Sequence, residues 1–225
     1  MQVEEDRLEL CSIKNPKLSP LFVDFLTGST GYRLSHSGGT KQQLAKAVGI
    51  KGKFRPSVWD VTAGLGVDGI ILATLGCQVH LIERSPTIFA LLQDGLQRVG
   101  NCRLDGDRAL PLQEIIKNFV TLELGDAQEI LKSIPPNNID VIYLDPMFPE
   151  SRKTALTKRE MQVIRDIVGM DVDSGALLAL ALEVAKKRVV VKRPRLALSL
   201  PGSRSPDYIV QGTRNRYDVY LIGGN

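Results

Sequence analysis

Twelve residues constrain this chain more than any others: Val58 to Gly69, reading VWDVTAGLGVDG. The apolar pair Val58-Trp59 ends in an acid, Asp60, and a turn of small residues follows, Thr62-Ala63-Gly64. Next comes 67–75, a segment able to start a helix. That succession predicts a strand, a tight glycine turn and a helix N-terminus. Glycine lets the backbone approach a ligand closely, and the free N–H groups of a first helical turn favour electron-rich atoms. The letters also fit G-x-G-x-x-G at Gly64, Gly66 and Gly69, with Glu83 closing the next apolar run, which is the spacing of a dinucleotide fingerprint. Asp60 points elsewhere. A carboxylate at the strand tip repels a pyrophosphate, whereas it suits a ligand carrying an amino group and a sulfonium, as S-adenosylmethionine does.

From Val58 onward the pattern alternates strand and helix, the signature of a mostly parallel sheet covered on both faces. Strands are expected at 58–60, 79–82, 121–124, 139–144 and 188–192, and helices at 67–75, 86–99, 112–118, 127–132, within 156–168 and at 175–186. Pro86 suits a first helical turn. Two alternating runs joined by a basic turn, 207–210 and 217–222, read as a terminal antiparallel pair. The fold class is therefore α/β and Rossmann-like. Residues 1–56 read differently, as a small appendage ahead of a domain spanning 57–225. In it, 8–10 and 21–25 are short strand candidates, 28–39 is a glycine-rich loop with Arg33 and His36, and 41–48 is a helix stopped by Gly49.

In an open parallel sheet, ligands lie beyond the carboxyl ends of the strands. Those ends carry Asp60, Glu83, Asp126, Asp145 and Lys192, so four acids and a lysine gather along one edge. Composition narrows the classes further. At 225 residues, with 29 basic and 25 acidic side chains, the chain supports one sizeable, mildly basic domain that permits an anionic partner. No apolar run approaches the roughly 20 residues of a membrane span, and the acidic start MQVEEDRLEL lacks a signal peptide's apolar core. Three cysteines without metal-ligand spacing and only two histidines argue for a cytoplasmic, metal-free protein with reduced thiols. His80 and Trp59 read as packed residues, and Cys77 and Cys102 as passive ones.

The second informative stretch is YLDPMFP, Tyr143 to Pro149. Pro146 donates no backbone hydrogen bond and fixes its own angle, so the chain leaves the sheet there. Asp145 and the freed carbonyls are acceptors, and Phe148 is an aromatic face. Acceptors converging beside an aromatic plate suit a planar base with an exocyclic amine. Such an amine is a poor nucleophile, and accepting its protons stabilises the positive charge that develops as it takes a methyl group. Stacking on the ring adds roughly 1–3 kcal/mol.

Together VWDVTAGLGVDG, HLIER and YLDPMFP resemble a class I S-adenosylmethionine-dependent methyltransferase of the amino-group type, in which (D/N)-P-P-(Y/F) follows the fourth core strand. The closer resemblance is to the bacterial 16S ribosomal RNA (guanine-N(2))-methyltransferase J family. FVDF (22–25), GG-x-x-x-x-LAKAVGIKG (38–52), the basic helix around 153–161 and VVVKRP (189–194) extend it over nearly the whole chain from about Leu8. It implies a seven-stranded sheet with helices on both faces and methyl transfer to the 2-amino group of a guanine in the small ribosomal subunit. For the cofactor it implies contacts from Asp60, Gly64, Gly66, Val67, Asp68, Glu83 (to the ribose hydroxyls), Arg84, Asp126, Ala127 and Asp145. Asp145 and Pro146 would orient the amine and Phe148 would stack on the base. Met147 departs from the second proline of the broad motif but fits the narrower family, and Val67 stands where a charged residue often follows the second glycine. Members also extend further at the amino end than Met1.

Two basic clusters, Arg152, Lys153, Lys158 and Arg159, then Lys192, Arg193 and Arg195, are expected on the rim of the site, where they would neutralise RNA phosphates. Other readings stay open on the residues alone: an amino-methyltransferase acting on adenine in nucleic acid or on a protein amide, a nicotinamide-dependent oxidoreductase, and an RNA-binding module without catalysis. Oligomeric state has no signature in the sequence.

Overall fold

The computed structural model describes residues 2–4, 7–13, 19–35, 39–102, 109–146, 173–198, 200 and 204–223. Its centre is β3 (Val58–Asp60), which pairs in parallel with β4 (Val79–Glu83) on one side and β6 (Ile139–Leu144) on the other. β5 (Val120–Leu124) extends the β4 side. β7 (Ala185–Pro194) pairs in parallel with β6, and the hairpin of β8 (Tyr208–Gln211) and β9 (Asn215–Leu221) closes that side, with β9 antiparallel to both neighbours. The seven-stranded order is β5-β4-β3-β6-β7-β9-β8, so the connections reverse direction at β3. A crevice at the carboxyl ends of β3 and β6 follows from that reversal.

Strands buried on both faces read as continuous apolar runs. Val189, Val190 and Val191 in β7 are all fully covered. On one face lie α3 (Val67–Thr74), α4 (Pro86–Asn101) and α5 (Ala109–Phe119), and the apolar side chains there form one core with Val58, Leu81, Tyr143 and Val219. On the other, α6 (Ala127–Lys132) and α7 (Ser174–Val184) bury Leu131, Leu178 and Ala181 against Ile142, Val189 and Tyr220. Pro86 occupies the first turn of α4, and the Ser85 hydroxyl caps it by accepting from the Ile88 N–H at 3.4 Å.

The amino-terminal region differs from expectation in two places. Residues 28–39, expected as a loop, contain a helix, α1 (Gly28–Ser35). Asp24 nucleates it by accepting from the N–H groups of Leu26 (2.8 Å) and Thr27 (3.0 Å). Gly31 lets it pack closely, since a Cβ there would stand 2.6 Å from the Leu26 carbonyl oxygen. The expected 21–25 strand is reduced to a single bridge between Leu21 and Leu10, whereas β2 (Arg7–Glu9) pairs with β1 (Gln2–Glu4). Leu21, Val23 and Phe25, with Leu44, Ala45 and Val48 of α2 (Gln43–Val48), enter the same core as α3 and α4. The helix expected within 156–168 lies outside the described residues.

Candidate active site

The glycine turn is stitched to both neighbours of β3. The Val61 N–H donates to the Tyr143 carbonyl at 3.1 Å, and the Ala63 N–H to the Ile82 carbonyl at 3.0 Å. Gly66, at φ +76°, precedes α3, and a Cβ on it would lie 2.6 Å from a Leu92 methyl. Gly69 lies where α3 meets β4, and a Cβ there would stand 2.4 Å from Leu81 Cδ2. Two of the three glycines are therefore fixed by close packing, and Gly64, at φ +55°, by backbone angle. Glu83 ties the turn to the next connection: Oε2 accepts from the Gly64 N–H at 2.8 Å and Oε1 from the Ser85 N–H at 2.7 Å.

A cavity of about 250 Å³ opens over this turn. Asp60, Gly64, Gly66, Val67 and Asp68 line it from the turn, Glu83 and Arg84 from the end of β4, Asp126 and Ala127 from the start of α6, and Asp145 and Pro146 from the end of β6. Lys192 and Asp173 complete its polar lining, giving six carboxyl groups (Asp60, Asp68, Glu83, Asp126, Asp145, Asp173) against two cations (Arg84, Lys192). Such a floor attracts a ligand bearing an ammonium and a sulfonium and repels a pyrophosphate.

Register explains how the charges meet. Tyr143 pairs with Val190 and Leu144 with Val191, so Asp145 reaches the level of Lys192. Lys192 Nζ donates to Asp145 Oδ2 and to Asp68 Oδ2, each at 2.7 Å. Tyr143 Oη donates to the same Asp68 oxygen at 2.7 Å, and the Asp145 N–H donates to Thr62 Oγ1 at 2.6 Å. Burial alone would lower the Lys192 pKa, but Asp145 and Asp68 outweigh it and hold the ammonium above the ordinary lysine range. Burial, reinforced by Asp68 and Asp145, pushes the Tyr143 phenol well up, so it stays a neutral donor. Asp60, 2 % exposed, accepts from the Thr62 N–H at 3.2 Å. Burial first, then Asp68 and Asp145, push its carboxyl up to about 8, against opposing pulls from the Thr62 N–H and Lys192.

This geometry has close relatives. The family described as "Putative SAM-dependent methyltransferase" matches residues 1–222. The ribosomal RNA small subunit methyltransferase J of Coxiella burnetii is 46% identical over 96% of this chain and 80% of its own length. The chain belongs to that family. The Haemophilus influenzae protein of the same name is 45% identical over 96% of this chain and 81% of its own. A SAM-dependent methyltransferase from Neisseria gonorrhoeae superposes with a TM-score of 0.71 at 33% identity, covering 99% of this chain and 82% of that one. The protein is thus a Rossmann-like, S-adenosylmethionine-dependent methyltransferase, and S-adenosylmethionine is its cofactor.

In this methyltransferase every cofactor-contact residue expected from sequence, together with Pro146, lines the one cavity. Phe148, Arg152, Lys153, Lys158 and Arg159 lie outside the described residues. Two rim assignments need correction. Lys192 is inside the cavity and held by two carboxylates, because residues 192 and 145 share the sheet face that carries α3. Arg193, one residue on, faces the opposite side, 5% exposed, and its guanidinium donates to the Leu198 carbonyl. Neither side chain is exposed on the rim. Sequence reading also gave no role to the Tyr143 hydroxyl, the Thr62 hydroxyl or Asp173. Tyr143 had a signal, since it stands two residues before Asp145 in a strand and so shares its face. Asp173, which accepts from Gln128 Nε2 at 2.7 Å and lies 3.7 Å from the Arg84 guanidinium, had none.

Proposed function

We propose that this methyltransferase acts in the cytoplasm on 16S ribosomal RNA, methylating the exocyclic 2-amino group of one guanine. The observation that carries the reading is Asp145 fixed beside the glycine turn, in a chain whose relatives are named for small-subunit ribosomal RNA. Bound S-adenosylmethionine supplies an electrophilic methyl carbon on a sulfonium. Asp60 takes its ammonium, Glu83 its ribose hydroxyls, and Asp126 and Ala127 flank its adenine. Thr62 holds the Asp145 backbone N–H and Lys192 its carboxylate, which accepts a hydrogen bond from the guanine amine and raises electron density on that nitrogen. Positive charge developing on the amine is met by the anionic floor, and its proton leaves to Asp145 or to solvent. The guanine must be unstacked to reach this depth.

The test is transfer of label from S-adenosylmethionine to small subunits lacking the modification, followed by nucleoside mass analysis. N(2)-methylguanosine is the expected product. Label in methyladenosine, or in protein, would replace the substrate while keeping the enzyme class.

A further inference from the structure

Beyond the cavity, the same sheet edge carries an exposed segment that the chemistry above leaves unused. β7 ends at Pro194, opposite Asn215 at the start of β9, so residues 195–198 and the 212–215 turn stand side by side. The Arg195 N–H donates to the Arg214 carbonyl at 3.0 Å, and the Ala197 N–H to the Pro194 carbonyl at 3.0 Å. Buried Arg193 grips the Leu198 carbonyl from below, and Leu200 is anchored at 4% exposure. The segment is therefore held in a defined shape, yet it presents Leu196 and Leu198 at 92% and 86% exposure. Bare leucines in a pinned loop mark a contact surface.

Charge identifies the partner. Arg195 and Arg214 are exposed, and among the described residues neither side chain forms an ion pair. The acid nearest in register, Asp218, is buried and already bound by Arg216 at 2.7 and 3.1 Å. Lys192 is in the cavity, and Arg195 lies three residues further along the strand direction, roughly 10 Å at ~3.3 Å per residue. We propose that this loop and turn form an RNA-docking rim, with Arg195 and Arg214 on phosphates and Leu196 and Leu198 against an unstacked base. The assignment rests on the proposed ribosomal RNA substrate. Arg193 then acts as a positioning residue for the rim rather than a phosphate contact.

Two double variants test it: R195A/R214A and L196S/L198S. Affinity for deproteinised 16S RNA is measured by filter binding from 50 to 200 mM salt, KM on unmodified small subunits by methyl transfer, and cofactor affinity by calorimetry. Losing two phosphate contacts should make the log–log salt slope shallower by about 1.5 and weaken RNA binding more than tenfold near 100 mM salt. L196S/L198S removes apolar surface buried against the base and should weaken binding at least fivefold with the slope kept. Cofactor affinity should stay at the parent level in both, which shows the fold intact, and R195K/R214K should restore the slope. Variants that bind RNA and subunits as the parent does overturn the rim. A defect on subunits with RNA affinity unchanged also overturns it, in favour of a protein contact. A parent that leaves ribosomal RNA unmethylated overturns the functional reading itself, which distinguishes the two failures.

Discussion

Replacing Asp60 by Asn should make the ligand-free protein more stable and the cofactor weaker. The carboxyl is fully buried, and its pKa stands at about 8 instead of 3.8. Its folded value is raised, so the folded state holds a proton that the unfolded chain releases between those two values. Stability therefore falls as pH rises from about 4 to 8. At pH 7 that linkage costs about 3 pH units, on the order of 4 kcal/mol at ~1.36 kcal/mol each. Asparagine keeps the shape and the acceptor for the Thr62 N–H, 3.2 Å away, without a charge to desolvate. For a chain of this length ~1 kcal/mol moves Tm by about 2–4 °C, so D60N should melt more than ~5 °C higher at pH 7. The gain carries a loss of function. The cofactor's ammonium needs an ionised partner, so parent affinity should rise about tenfold per pH unit from about pH 6 to 7.5. It should peak near about pH 8, where an α-amino group begins to lose its own proton. D60N should bind weakly and without that rise. Calorimetric titration across pH 6–9, with thermal melts of the ligand-free proteins, checks both halves. A D60N protein that melts below the parent at pH 7 would refute the burial cost, and parent affinity flat below pH 8 would show that another carboxylate meets the ammonium.

Removing the cation between Asp68 and Asp145, as in K192M, should cut turnover at least a hundredfold and move the acid limb of the rate profile up by about 1–3 pH units, because two facing carboxylates then repel and one holds its proton. K192R should recover part of both; a K192M profile that keeps the parent's acid limb would deny Lys192 its hold on Asp145. D145N should lower kcat by about 10²–10³, and parent turnover would remove Asp145 from the chemistry. G69A pushes a methyl to within 2.4 Å of Leu81 and 3.3 Å of Val79, so denaturant unfolding should register a loss of about 1–3 kcal/mol; an unchanged midpoint would mean that α3 shifts freely on β4.

What the sequence revealed follows from which residues answer to local rules. β3, its turn and α3 were legible because a strand tip, small residues and the start of an apolar helix lie within twelve consecutive positions. The five carboxyl-edge charges were legible because parallel strands align their ends whatever their separation along the chain. α1 was misread because its start depends on a side chain four residues earlier: Asp24 fixes the turn ahead of it by accepting from the Leu26 and Thr27 N–H groups. Lys192 and Arg193 were misread for a different reason. Adjacent basic residues look equivalent in a sequence, but successive residues of a strand point to opposite faces. Which face is a cavity and which a core depends on the partners. Lys192 meets Asp68 from a position 124 residues earlier and Asp145 from 47 residues earlier. Arg193 instead reaches a carbonyl five residues on. One step along β7 thus separates a group that orders the reaction site from one that shapes the surface beside it. A basic run ending a parallel strand is therefore better divided by alternation than assigned whole to nucleic acid: odd and even positions answer to different layers, and only residues past the strand's end, such as Arg195, are released from that constraint.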